Sequence, residues 1–136
     1  MKKYLADAFF AGVGGIELGF TQTNEVEVIY ANEFDKFACK TYAENNPNVD
    51  LDNRDIHNIK AGEVPDADII MGGFPCQAFS IAGYQKGFSD TRGTLFFELL
   101  RIVNAKKPRV IFMENVKNLI SHDNGNTFKV IREALI

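Results

Sequence analysis

The chain has 136 residues, of which 46% are hydrophobic and 24% are charged, and its formal net charge is −3. These values are typical of one soluble globular domain, and no apolar run approaches the roughly 18 residues that a membrane helix needs. Asp7 interrupts the short apolar N-terminus, which argues against a signal peptide, so we predict a cytoplasmic protein. The acidic balance argues mildly against a nucleic-acid partner, because such proteins usually carry a basic surface.

Short β-rich runs alternate with helical patterns, and this alternation predicts an α/β domain with a mainly parallel sheet. In chain order, the sequence predicts a strand at 4–10, a helix at 15–23, a strand at 26–31, a helix at 34–42, an extended stretch at 49–53, a strand at 67–71, a helix at 93–104, a strand at 110–113 and a helix at 128–135. A long loop covers 74–91. Because a parallel sheet buries both faces, we expect a chain that stops soon after its fifth strand to leave part of its core uncovered.

Cysteine and histidine are too few and too irregularly spaced to predict a metal site. Cys39, Cys76, His57 and His122 show none of the spacings that metal ligands usually have. Cys39 lies within a helical pattern, and we interpret it as a small buried residue.

Chemically useful residues follow the predicted strands. Ligands of open α/β sheets bind at the carboxyl ends of the strands, close to the point where the strand order reverses. Glycines come after the first strand, and acidic residues or a thiol come after each of the others. If the sheet is parallel, all of these residues share one edge, which predicts a ligand site there.

One part of this edge has the residues of a nucleotide site. The turn with Gly12 and Gly14 permits close backbone approach to a ligand, although it lacks the full glycine spacing of dinucleotide folds. Glu33 follows at the distance where an acid commonly binds ribose hydroxyls. Phe34 is suited to lie against an adenine face, and Asp55 to accept from its amino group. Each of these residues also has a structural alternative. The glycines would form only a tight turn, Glu33 would be an acid at a helix N-terminus, Phe34 a core aromatic residue and Asp55 an acid in a loop. The absence of a phosphate-loop lysine favours a nucleotide without a triphosphate.

A second part of the edge carries a thiol and a carboxylate. Cys76 follows Phe74 and Pro75 at the end of a predicted strand, and the proline restricts both its own φ and Phe74, which would aim the thiol into the cleft. Glu114 closes another strand, where a carboxylate is costly unless it is paired or used. We interpret the two as candidate nucleophile and candidate acid; a purely structural role is the alternative for each.

These segments resemble the DNA cytosine-5 methyltransferase family. Residues 72–80, Gly-Gly-Phe-Pro-Cys-Gln-Ala-Phe-Ser, are similar to its Pro-Cys motif, residues 10–15 to its cofactor loop, and residues 114–116 to its Glu-Asn-Val motif. The resemblance implies a Rossmann-like fold that binds S-adenosyl-L-methionine and methylates C5 of a flipped cytosine in duplex DNA. It implies that Cys76 and Glu114 are catalytic. The implied cofactor contacts are Phe10, Gly12, Gly14, Glu33, Phe34, Asp55, Ile56, Gly73, Pro75 and Leu95, and the implied DNA contacts are Gln77, Ser80 and Arg92.

The chain departs from the family pattern in three places. Asp7 lies one position earlier than the aspartate of the family's Asp-Leu-Phe sequence, and Ala82 replaces a frequent serine. The sequence also ends before the family's Gln-x-Arg-x-Arg segment, its target-recognition domain and its C-terminal motifs. We therefore expect a single domain at 1–136 that is the catalytic N-terminal portion of a longer enzyme, or a subunit with a C-terminal partner chain carrying the recognition domain.

Two other functions compete with this interpretation. A non-catalytic S-adenosylmethionine-binding remnant or regulatory subunit would also explain the absent C-terminal half, although the intact Cys76 and Glu114 favour an enzyme. A nicotinamide oxidoreductase is disfavoured by the irregular glycine spacing and by the Pro-Cys loop.

Overall fold

A computed structural model describes residues 2–75 and 94–136 and places five parallel strands in one sheet, in the order β3-β2-β1-β4-β5. The strands are β1 (Tyr4–Phe9), β2 (Val26–Asn32), β3 (Asp50–Asp52), β4 (Ile69–Gly72) and β5 (Val110–Met113). The helices of the described ranges are α1 (Gly15–Thr21), α2 (Lys36–Asn45), α3 (Thr94–Lys106) and α4 (Asn126–Leu135). The predicted α/β class and parallel sheet are confirmed, and each predicted element is present with ends that differ by a few residues.

The two faces of the sheet bury different side chains. On one face, Phe9 and Ile70 of the sheet pack with Leu99 and Ile102 of α3. On the other face, Ala6, Ala8 and Met71 cluster with Tyr42 of α2, and Ile16 and Phe20 of α1 pack against them. The strand order reverses between β1 and β4, so the carboxyl ends of these two strands form the crevice where α/β sheets bind ligands.

Strand β5 is apolar in sequence but carries exposed side chains. Val110 is 51% exposed and Phe112 is 41% exposed, although Phe112 meets the ring of Phe20 edge-on at 5.1 Å. Among the described strands β5 pairs only with β4, so it is the edge strand of the described sheet. No helix of the described residues is long and apolar enough to cross a membrane.

Asp7 is the polar residue that fits worst in the core. Its side chain is fully buried in β1, and neither carboxyl oxygen has a hydrogen-bond partner among the described residues. The β1–β2 ladder shifts register between Ala6 and this aspartate. Burial raises the pKa of Asp7 to about 7; the nearby Lys106 opposes this shift and Asp66 adds to it. An aspartate that ionises only near neutral pH destabilises the fold once it is charged.

We predict that replacing Asp7 with asparagine removes a pH dependence from the stability of the fold. The pKa is higher in the folded than in the unfolded state, so the folded state binds more protons between about pH 4 and pH 7 and loses stability as the pH rises through that window. The loss is on the order of 3–4 kcal/mol for a shift of this size. Urea unfolding at several pH values should show the full loss in the wild type. In Asp7→Asn only the remainder due to buried Glu17 should stay, because burial raises the pKa of that carboxyl as well. The exposed Asp50 provides the control, since Asp50→Asn should keep the full loss; an undiminished loss in Asp7→Asn would show that Asp7 is not its source.

Candidate active site

A cavity of about 440 Å³ lies at the carboxyl edge of the sheet. Its size is within the range of small-molecule and cofactor sites. Its lining residues come from the ends of β1, β2 and β4, from the segment after β3 and from the start of α3; they are Phe10, Asn32, Glu33, Phe34, Asp55, Ile56, His57, Pro75 and Leu95. Seven of these residues are among those that the sequence suggested as cofactor contacts. The structure therefore brings them together, while their role stays a prediction.

The carboxylate of Glu33 joins two loops at this edge. Its Oε1 accepts from the backbone N–H of Gly12 at 2.8 Å, and its Oε2 accepts from the backbone N–H of Asp35 at 2.7 Å. Because each carboxylate oxygen can accept two hydrogen bonds, one acceptor position on each oxygen stays available. Two neighbouring acceptors of this kind suit two neighbouring hydroxyl groups.

The turn after β1 depends on glycine at position 14. Gly14 adopts a φ of +94°, which is left-handed and unfavourable for other residues, and Gly12 adopts a φ of +58°. A Cβ atom at position 14 would lie 3.0 Å from Cε2 of Tyr42. Phe10, just before the turn, also has a positive φ of 51°, and strained non-glycine residues of this kind cluster at functional sites. The turn thus has both a backbone and a packing reason to keep its glycine.

Asp55 presents an ionised carboxylate to the cavity. It accepts from the backbone N–H of His57 at 3.0 Å, and its Oδ1 lies 2.6 Å from Nδ1 of the same histidine. The backbone hydrogen bond from His57 is the main reason that the pKa of Asp55 lies below its ordinary value; the ring adds to this, and partial burial opposes it. An ionised carboxylate only accepts hydrogen bonds, and recognition of a ligand's amino group requires such an acceptor.

Phe34 is a hydrophobic lining residue that is largely exposed, at 68%. Its ring lies on the rim of the cavity, where it is able to cover a flat ligand without first losing contacts with the core.

Asn32 and His57 line the cavity but were not predicted from the sequence. Asn32 is buried at the end of β2, and its amide donates to the carbonyls of Asp52 and Arg54 at 2.9 and 2.8 Å. An asparagine at the end of a largely apolar strand, directly before Glu33, was the available signal. His57 gave no comparable signal, since its approach to Asp55 depends on the turn that the chain makes there.

Glu114 lies at the end of the neighbouring strand pair. Its backbone N–H donates to the carbonyl of Gly72 at 3.1 Å, which continues the β4–β5 ladder. A Cβ atom at Gly73 would lie 3.0 Å from Oε2 of Glu114, so glycine leaves room for this carboxylate. The Asn115 amide donates to the carbonyl of Phe74 at 2.8 Å and fastens the segment that leads to Pro75. Cys76, Gln77, Ser80 and Arg92 lie outside the described residues.

No three histidine, cysteine, aspartate or glutamate side chains of ranges 2–75 and 94–136 form a group that could hold a metal ion.

A parallel α/β sheet whose carboxyl edge holds a cavity, a glycine turn and an acid after the second strand is typical of α/β domains that bind ligands at this edge. The family model described as C-5 cytosine-specific DNA methylase matches residues 6–136, and the chain belongs to this family. The resemblance seen in the sequence is thereby confirmed.

Several relatives support this assignment. The type II methyltransferase M.Bsp6I of Bacillus sp. (strain RFL6) is 61% identical over 129 residues, which are 94% of this chain and 41% of that protein. The type II methyltransferase M.HhaI of Haemophilus parahaemolyticus is 51% identical over 126 residues, 93% of this chain and 38% of that protein. A crystal structure of a mutant DNMT2 from Spodoptera frugiperda has a TM-score of 0.73 and 25% identity, covering 97% of this chain and 41% of that one. The chain thus spans about two fifths of the length of these relatives.

We predict opposite effects of alanine at two glycines of the same region. Gly14→Ala should lower the free energy of unfolding by at least about 1–2 kcal/mol, because alanine is strained at a positive φ and its methyl group would crowd Tyr42. Gly19 lies in α1 with no atom within 4 Å of its Cβ position, so Gly19→Ala should raise the free energy of unfolding by about 0.5–1 kcal/mol. Denaturant unfolding measures both. Equal effects of the two substitutions would contradict the special role of position 14.

Proposed function

We propose that this chain is the catalytic N-terminal portion, or a catalytic subunit, of a cytoplasmic DNA cytosine-5 methyltransferase that takes its methyl group from S-adenosyl-L-methionine. The observation that carries the proposal is the cavity at the carboxyl edge, where Glu33 and Asp55 present acceptors, together with Glu114 at the neighbouring strand end. M.Bsp6I and M.HhaI are both named type II methyltransferases.

The residues of the cavity fit an adenosine group. The two free acceptor positions on Glu33 match the two ribose hydroxyls, and Asp55 is placed to accept from the adenine amino group. Phe34 and Ile56 would offer apolar surface to the adenine ring. Gly12, Gly14 and Gly73 would allow the backbone to approach the remainder of the cofactor, because they carry no side chain. When bound, S-adenosylmethionine supplies an electrophilic methyl group.

Cys76 and Glu114 are the proposed catalytic pair. The target cytosine leaves the stack, because its ring atoms cannot be reached within the duplex. The Cys76 thiolate forms a bond to C6, and Glu114 in its protonated form donates its proton to N3, which neutralises the charge that develops on the ring. C5 thereby becomes the nucleophilic carbon, and S-adenosylmethionine, when bound, would supply the methyl group and leave as S-adenosylhomocysteine. Afterwards a base takes the C5 proton, the electron pair of that C–H bond forms the C5–C6 double bond, and Cys76 leaves as a thiolate. The N3 proton returns to Glu114, and the ring regains its aromaticity.

Duplex DNA is the proposed substrate, and Gln77, Ser80 and Arg92 are its proposed contacts on this chain. The formal net charge of −3 is unusual for a DNA-binding enzyme. A further part of the protein, either the C-terminal continuation or a partner chain, would supply positive charge and sequence recognition. Val110 and Phe112 of β5 are exposed in the part of the chain that the structure describes, and we propose that the further part packs on this apolar surface.

We predict that Cys76 forms a trapped covalent complex with DNA. The chain, joined to the C-terminal part of M.Bsp6I, is incubated with S-adenosylmethionine and duplex DNA that carries 5-fluorocytosine at the target. Fluorine cannot leave C5 as a proton does, so the step that releases the cysteine is blocked after methyl transfer. A denaturation-resistant protein–DNA band is the readout, and the band should require S-adenosylmethionine.

Variants separate the proposed roles in this experiment. Cys76→Ser should abolish the band, because a serine hydroxyl is protonated near neutral pH, whereas Cys39→Ser should still trap. Glu114→Gln should slow trapping strongly, since the amide is too weak an acid to transfer a proton to N3.

The isolated 136 residues should not methylate DNA. An adduct on Cys39, or one that persists in Cys76→Ser, would disprove the mechanism; a chain that binds cofactor but never traps would instead favour a regulatory subunit.

A further inference from the structure

Two asparagines join the ends of β2 and β3 by donating hydrogen bonds in opposite directions. The Asn32 amide donates to the carbonyls of Asp52 and Arg54 at 2.9 and 2.8 Å. The Asn53 amide donates to the carbonyls of Glu33 and Phe34 at 3.1 and 3.2 Å. We call this pair, Asn32 and Asn53, the amide clamp.

The amide clamp connects two walls of the cavity. One wall is formed by Glu33 and Phe34, which follow Asn32 in the chain, and the other by Asp55 and Ile56, which follow Asn53 closely. The backbone ladder continues for one step beyond the strands, because the Glu33 N–H donates to the carbonyl of Asp52 at 3.1 Å. Beyond that step, the side chains of the clamp replace the ladder and fix the distance between the two walls.

The thiol of Cys39 is a third member of this arrangement. Its Sγ donates to the carbonyl of Glu33 at 3.0 Å and accepts from the Asn53 amide at 3.2 Å. Burial raises the pKa of this thiol, so it stays protonated at neutral pH and able to donate. All three atoms that face the Asn53 nitrogen are acceptors, two carbonyl oxygens and a sulfur, which establishes that the amide donates here.

The peptide that the clamp holds carries the acid of the cavity. The Glu33 carboxylate bonds to Gly12 and Asp35 at its outer end, and its backbone carbonyl bonds to Asn53 and Cys39 at the inner end. A side chain fixed at both ends has little conformational freedom left to lose when a ligand binds, and pre-organisation of this kind favours affinity.

We propose that Asn53 is a positioning residue for the cofactor: through the Glu33–Phe34 peptide it places the Glu33 carboxylate against the ribose hydroxyls. This inference rests on the proposed function, because it assigns the ribose to Glu33. Asn32 completes the clamp from the other side and is buried, so its substitution would disturb the fold. Asn53 is exposed and provides the cleaner test.

The test compares two ligands in calorimetric titrations of the 136-residue chain: S-adenosylhomocysteine and its 2′,3′-dideoxy analogue, which lacks both ribose hydroxyls. The wild type should prefer the ligand with hydroxyls by at least about tenfold, the value expected for hydrogen bonds to a charged group. Asn53→Asp has the same shape but turns an oxygen toward the two carbonyls, and it should reduce that preference to about twofold. Its affinity for the dideoxy analogue should stay within about twofold of the wild-type value.

Two further variants exclude simpler explanations. Asn53→Ala removes the donors without adding charge and should also lose the preference. Asn104→Asp makes the same charge change at an exposed residue near the end of α3 that is remote from the cavity, and it should keep the preference. Melting temperatures of all three should stay close to that of the wild type.

The possible failures are distinguishable. A wild type that binds both ligands equally would disprove the ribose assignment of the proposed function and the inference with it. The positioning role alone would be overturned if the wild type prefers the ligand with hydroxyls and the Asn53 variants keep this preference. It would also be overturned if these variants lose affinity for both ligands by the same factor.

Discussion

The hydrogen bonds of the Glu33 carboxylate connect the parts of this molecule on which the site depends. They tie the glycine turn after β1 to Asp35, the residue just before α2, and so join two neighbouring βα connections of the sheet. The turn includes positive φ values at Phe10, Gly12 and Gly14. An ionised acceptor that satisfies backbone N–H groups on both sides offsets this strain, because hydrogen bonds to charged groups are the stronger kind.

The parallel sheet explains how cofactor and catalytic residues come to lie side by side. All five strands end at the same edge. The segments after β1, β2, β3 and β4 line the cavity together with the start of α3, while the segment after β5 carries Glu114. The reversal of strand order at β1 and β4 separates the chain connections and opens the crevice between them. Gly73 is small enough for Glu114 to approach it, which ties the acid to the strand that leads to the Pro-Cys motif.

The sequence predicted the sheet and most of the cavity because those residues follow strands, and the position of a strand end can be inferred from hydrophobic patterning. Glu33, Asp55 and Leu95 were found in this way or through the family resemblance. The hydrogen bonds of Asn53 and His57 were not predicted from the sequence, since they depend on loop conformations that hydrophobic periodicity does not encode. The exposure of β5 contradicted its apolar sequence, because burial depends on neighbours that lie outside the strand itself. Cys39 was interpreted as a packing residue only, and its buried position agrees, but its hydrogen bond to the Glu33 carbonyl could not be inferred from helical spacing.

The proposed function depends above all on binding of the adenosine group of S-adenosylmethionine at the Glu33 edge. An amide-resolved NMR titration of the chain with S-adenosylhomocysteine, with NADH as the competing ligand, tests this binding most directly. We expect the largest shifts on Gly12, Glu33, Asp35 and Ile56, and we expect Glu33→Gln to weaken them at equal ligand concentration. Shifts concentrated on Phe20 and Val110–Phe112, where two other cavities lie beside α1 and β5, or preferential binding of NADH, would contradict adenosine binding at the Glu33 edge.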